Sequence, residues 1–292
     1  MNYRQVIAES WIFTQKNRRL ILWYGCIPAL FEIVYGIGFI IYQYLAFKKS
    51  ELFDYHGPSF LSEIFTFAWN FFKADVGRGV ILLVIAGVCV LLYFALPTLL
   101  QCAAVQYIAR RRNKQEASLG DGMKHGIFSF LPVLEYHAMI KIFASFWLLT
   151  EAAFVLRNLG LDAFRFFGPV FLVVFLFGLL VSLLFTYTIF YIIIDGKNVM
   201  KSIGLSIKLV ILNWTHTFLI TILMLIIGVR IVIQLIIVLS IPAITLLFGG
   251  YLATTMLAGV GYVIAGVLGI AALIFAVYLS GIIEIFSNTV WT

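Results

Sequence analysis

The stretch Val80 to Ile108, VILLVIAGVCVLLYFALPTLLQCAAVQYI, decides what kind of protein this is. It holds no Asp, Glu, Lys, Arg or His, and it is framed by Arg78 before it and Arg110-Arg111-Arg112 after it. About 20 apolar residues in helical form cross the hydrocarbon core of a bilayer. In lipid every backbone N–H and C=O must find a partner within the protein, which an α-helix supplies within one segment. A run this long and this uniformly apolar is a helix and not a barrel strand, whose lipid-facing residues alternate with polar ones.

Five further runs of the same kind lie near 20–47, 131–156, 168–194, 216–240 and 262–286. The expected fold is therefore all-α, a polytopic membrane protein with six transmembrane helices in a single domain over 1–292. Composition agrees. The 292 residues are 63% hydrophobic and 11% charged, with a mean hydropathy of +1.07. Soluble domains are roughly 45–50% apolar and about 25% charged, so no water-exposed surface could be assembled from this chain. The net charge of +7 does not point to nucleic acid, because no compact basic segment stands outside the apolar runs. Membrane lipids are the expected partners of these cations. Cys26, Cys89 and Cys102 all fall inside apolar runs without metal-ligand spacing, and neither a metal nor another cofactor is expected.

Lys and Arg are distributed unequally between alternate gaps. Twelve precede run one or lie in the second and fourth gaps, whereas Lys48, Lys49, Lys73, Arg78, Arg157 and Arg165 make six on the opposite side. The positive-inside rule then places both termini in the cytoplasm. Residues 1–19 lack the apolar h-region of a signal peptide, so the first run is expected to remain as a span.

One gap has structure of its own. Ser59, Ser62, Glu63, Thr66, Asn70 and Lys73 recur at steps of three, four and seven, with Phe, Trp, Leu and Ile filling the rest. That spacing draws a polar stripe on a helix over about 58–75, opened by Gly57-Pro58-Ser59. A helix lying in the outer interface fits the pattern; a helix packed over the outer ends of the spans is the alternative.

Basic amphipathic elbows precede runs one, three and five at Gln5–Arg19, Leu119–Phe130 and Val199–Asn213, and each is expected to lead into its span without a break. Ser10 and Asn17 can be set against Ser206 and Asn213, and Gly126 against Gly204. The expectation is three repeats over 1–115, 116–196 and 197–292, each an elbow helix and a two-span hairpin.

Resemblance to known membrane proteins enters at these elbows. Ser118-Leu119-Gly120-Asp121-Gly122-Met123-Lys124-His125-Gly126 and Asp195-Gly196-Lys197-Asn198-Val199-Met200-Lys201-Ser202 look like the elbows of bacterial multi-span families of poorly defined role. The closing Phe286-Ser287-Asn288-Thr289-Val290-Trp291-Thr292 is similar to their final-span ending. The chain resembles, in layout over most of its length, the membrane domain of glycerophosphodiester phosphodiesterases. This implies a six-span, elbow-containing domain of the bacterial cell membrane with a connection to lipid. The soluble catalytic domain of that family has no counterpart in these residues, so its catalysis is not carried over.

Ionisable groups at bilayer depth are costly and usually face protein or water. Glu32 and Lys141 both fall near the midplane of their runs and could pair. Arg230, with Gln234 one turn on, falls in the outer half of run five, and Glu135 and His137 lie near the inner boundary of run three. These six residues are the candidates for binding a lipid or other substrate headgroup. A structural tie between Glu32 and Lys141, with Arg230 snorkelling outward, accounts for the same residues without a ligand. Gly261, Ala265 and Gly269 repeat every four residues in run six, a spacing that lets helices approach closely, within one bundle or between subunits. No Gly-x-Ser-x-Gly, P-loop or His-Glu-x-x-His motif is present. The expected function is non-enzymatic binding or translocation of lipid or another amphiphile. An accessory subunit of a membrane complex and a lipid-acting enzyme using Glu135 and His137 are the alternatives.

Overall fold

A computed structural model of the chain describes residues 3–50, 57–140, 145–229 and 258–292, together with Ile233, Ile236 and Ser240. Among these residues the regular structure is entirely helical. Helix α1, Tyr3–Lys16, is the first elbow and ends at Asn17, whose φ of −107° and ψ of 56° are not helical. A helical turn at Arg18–Leu20 and a π-helical turn at Ile21–Gly25 lead into α2, Cys26–Lys48. Helix α3, Phe60–Ala74, lies within the 58–75 interval marked by the polar stripe. The Ser59 side chain accepts from the Ser62 N–H at its start (3.3 Å), satisfying one of the orphan donors of a helix N-terminus.

Helix α4, Val76–Arg112, contains the opening stretch and Pro97. Asp75 caps it, accepting from the Arg78 N–H (3.1 Å). Helix α5 is Leu119–Ile140. Helix α6, Ser145–Leu184, is kinked at Gly160, whose φ of 79° and ψ of −179° lie where only glycine sits without strain. A short α7, Thr188–Ile193, precedes α8, Val199–Leu212, and α9, Trp214–Val229. A break at Asn213 separates the last two. Helix α10 is Ala258–Trp291.

Four helices among the described residues are long and apolar enough to cross a membrane: Arg18–Lys48, Val76–Arg112, Leu148–Leu184 and Gly266–Trp291. The bent pair of α8 and α9 makes a fifth if it counts as one span. Their apolar residues are bare. Ile81, Leu82, Leu83, Val84 and Ile85 of α4 are all more than half exposed, as are Val170, Leu172 and Val173 of α6. Water would not tolerate such continuous apolar surface; lipid does. The chain is a multi-pass helical membrane protein.

The second elbow runs into its span without a break, as expected, whereas the first and third are interrupted at Asn17 and Asn213. Leu119–Phe130 and the start of run three form one helix, α5. The physical reason lies in Gly122 and Gly126. A Cβ on Gly122 would fall 2.8 Å from Ala103 O, and one on Gly126 would fall 2.7 Å from Ala103 N. Both glycines press their helix onto α4 where the other elbows bend. Gly204, set against Gly126 by the sequence, has open space around it. The gap expected between runs three and four is helical on both sides of Gly160.

The residues cluster into two compact units. One comprises Met1–Leu30, Leu100–Ile127 and Leu212–Thr292. Its core is the closing third of α4, where Cys102, Ala103, Ala104, Val105 and Ile108 are fully buried. There α10 meets the π-helical turn: a Cβ on Gly25 would lie 2.5 Å from Gly281 O. Trp11 of α1 stands edge-on to Phe286 at 5.6 Å, and Arg112 donates to Thr289 O (2.8 Å), capping a carbonyl at the end of α10. The other unit comprises Phe31–Leu99 and Phe128–Ile211. Within it the Ser206 hydroxyl donates to Leu184 O (2.8 Å) and accepts from the Tyr187 N–H (3.1 Å). One buried side chain thereby satisfies both sides of the break between α6 and α7.

Candidate functional site: a cationic cleft at the first elbow

Asn17 organises this site. Its backbone breaks the helix, its Nδ2 donates to Phe13 O (2.8 Å), and its Oδ1 accepts from the Tyr107 hydroxyl (3.1 Å). That hydroxyl in turn accepts from Arg111 Nε (3.4 Å), and the Arg111 guanidinium lies over the Tyr107 ring at 5.8 Å. The Tyr24 hydroxyl donates to Leu119 O (2.5 Å), tying the first turn of α5 to the same junction. A residue that ends one helix is thus joined to the last turns of α4 and the first turn of α5.

These elements enclose a cleft of ≈ 680 Å³ lined by Lys16, Arg18, Arg19 and Arg111, with Ser118 and Gly120 on the α5 side. Among the described residues no carboxylate lines it. Asp121 is engaged elsewhere: it accepts from the Ser118 N–H (3.0 Å) and hydroxyl (2.6 Å), while its own N–H donates to Ser118 Oγ (3.2 Å). This is a reciprocal capping box. The Ser118 hydroxyl and N–H, with smaller help from Lys124 and His125, hold the Asp121 carboxyl below its ordinary value. The cleft therefore gathers four cations beside a helix N-terminus, whose dipole adds positive potential. Its volume is in the range of small-molecule sites. The chemistry it offers is binding of an anion, by charge-assisted hydrogen bonds from guanidinium groups that match phosphate and carboxylate geometry.

The six residues singled out from sequence are placed as follows. Glu32 is exposed on α2; on α5, Glu135 is exposed and His137 is half-buried with its ring 5.8 Å from Tyr136. Lys141, Arg230 and Gln234 lie outside the described residues, and with them the expected pairing of Glu32 with Lys141. Among the described residues no group of three or more His, Cys, Asp or Glu is placed to hold a metal ion. In the sequence Lys16, Arg18 and Arg19 read as part of a basic elbow facing lipid and, with Arg111, as markers of orientation, but not as one site. The signal available was the position of Arg18-Arg19 and Arg110-Arg111-Arg112 at the same-side ends of two consecutive runs. Nothing in the sequence brings in Tyr107.

No family model, curated protein or solved structure matches this chain.

Proposed function

We propose that this is a non-enzymatic integral protein of the bacterial inner membrane that binds and moves phospholipid or a similar amphiphile, with the elbow cleft holding the anionic headgroup. The observation that carries the reading is the convergence of Lys16, Arg18, Arg19 and Arg111 on one cleft with no carboxylate among the described residues of its lining. In a cytoplasmic setting these residues stand at the depth of anionic headgroups, where each Lys or Arg contributes about 1 kcal/mol of attraction. The same reading takes six crossings, both termini inside, and three elbow-hairpin repeats. Supporting the repeat, Asn17 and Asn213 each stand at a break between an elbow helix and the helix that follows.

Native mass spectrometry of the protein released from its own membrane tests this. Retained anionic lipid, lost in the triple variant Arg18→Gln, Arg19→Gln, Arg111→Gln, is the expected result. Equal lipid retention by parent and triple variant would remove the site. A second reading, an accessory subunit, has one observation in its favour. Gly269 of the Gly261, Ala265, Gly269 face and its neighbour Gly266 meet no described atom within 4 Å of a built Cβ. Protein subunits co-purifying at fixed ratio, in place of lipid, would favour it.

A further inference from the structure

A second cleft, of ≈ 400 Å³, lies in the unit Phe31–Leu99 and Phe128–Ile211. It is lined by Tyr42 and Lys49 at the end of α2, Phe60 at the start of α3, and Phe154, Arg157 and Asn158 just before the Gly160 kink. Arg157 is its centre. Its guanidinium donates to Gln43 Oε1 (3.2 Å) and to the Tyr42 hydroxyl (3.4 Å). It also lies over the rings of Tyr42 (5.5 Å) and Phe154 (5.9 Å).

Both hydrogen-bond acceptors are neutral. Among the described residues no carboxylate lies within 4.0 Å of Arg157. Lys49 is matched by Glu63 of α3, and it lies 5.9 Å from the Phe60 ring. A guanidinium carries five N–H donors, and the two bonds found among the described residues fix its plane and go to uncharged acceptors. Stacking on two rings adds rigidity, because a cation over an aromatic face has a preferred geometry. The result is a pre-oriented, half-buried Arg fork facing a headgroup-sized space beside an amphipathic helix.

Lys16 to Arg19 precede the first apolar run and Lys48-Lys49 follow it, so a single crossing of that run puts this cleft on the outer face. We propose that it is a second, outer site for the phosphate group of a lipid headgroup, gripped by Arg157. The choice of a lipid ligand rests on the function proposed above; the site itself does not depend on the elbow cleft. A protein that moves lipid needs a place to hold the headgroup at each face, and this cleft supplies the second.

The test titrates the full-length protein in mild detergent with short-chain dihexanoyl phosphatidic acid and, separately, with inorganic phosphate. It is done in the parent and in the Arg18→Gln, Arg19→Gln, Arg111→Gln background, where only the outer site remains. In that background Arg157→Gln should weaken phosphatidic acid binding by about tenfold or more, the scale of one lost charge-assisted interaction. Gln43→Glu is the companion variant. It keeps the size of the side chain but gives Arg157 a carboxylate partner, and it should cause a similar loss in a protein whose helicity and melting are unchanged. Unaltered affinity in both variants overturns the proposal. If the triple background alone abolishes all binding, the outer site falls and the elbow site stands. If the triple background binds like the parent while Arg157→Gln does not, the elbow site falls and the outer site stands. Inorganic phosphate binding as tightly as the lipid would overturn the lipid as ligand.

Discussion

Two glycines show how much a single hydrogen matters here. Gly25 and Gly281 meet so closely that a Cβ on Gly281 would fall 2.8 Å from Cys26 N and 2.9 Å from its Sγ. Gly25→Ala should therefore cost about 1–3 kcal/mol through overpacking, read as a lowered unfolding midpoint in mild detergent. Gly36→Ala, with nothing within 4 Å, is the control and should leave the midpoint unchanged or slightly raised. At the other end of the residue scale, the Ser118–Asp121 capping box is set by protonation. Its carboxyl titrates below the ordinary 3.8 in the folded protein. The stabilisation is thus fully present above about pH 3.8 and is lost as pH falls through the lower folded value. Hydrogen exchange of the amides at 119–122 should speed up in that window, and Asp121→Asn should exchange fast with no such pH dependence. Arg157 belongs here as well: its role depends on donors left over by neutral partners, which only the named contacts reveal.

Elements carry two devices. The first is α3. Leu61, Ile64, Phe65, Phe67 and Trp69 are exposed on it, and none of its residues is buried. Trp69 stacks on Phe72 at 6.4 Å with Lys73 over its ring at 5.2 Å, an amphipathic arrangement suited to headgroup depth. With Trp69 as the sole tryptophan, its fluorescence should be quenched by lipids brominated near the headgroup end of their chains, and a Phe65→Glu, Phe67→Glu variant should abolish the quenching. Insensitivity of the parent would place α3 on protein instead. The second device is the broken elbow. Asn17→Leu keeps all four cations but removes the acceptor for Tyr107, so the hydroxyl and Arg111 lose their shared anchor. A lost buried hydrogen bond costs about 1–3 kcal/mol. Anionic lipid binding should fall with the charge count intact, which separates a built cleft from a merely basic surface.

At the scale of the whole molecule, orientation is the first thing to measure. In a cysteine-free background, Arg165→Cys should react with a membrane-impermeant maleimide on intact cells, and Lys114→Cys should react only after permeabilisation. The reverse pattern would exchange the inner and outer assignments of both clefts. Much of the architecture was legible in the chain because hydropathy and polar spacing are local properties. The apolar runs gave an all-helical membrane protein, and the three-four stripe gave α3 to within about two residues. The continuity of α5 was expected, but the breaks at Asn17 and Asn213 and the Gly160 kink were not legible, since single backbone conformations decided them. Nor was either cleft. A hydropathy run says that a helix lies in lipid but leaves its rotation about its own axis free. Close approaches such as Gly126 to Ala103 and Gly281 to Gly25 set that rotation, and with it which cations converge. The sequence by itself determined the solvent of this protein and the period of its helices. Only the tertiary structure, through contacts between residues about 90 apart such as Asn17 with Tyr107, decided where its positive charge is gathered into a site.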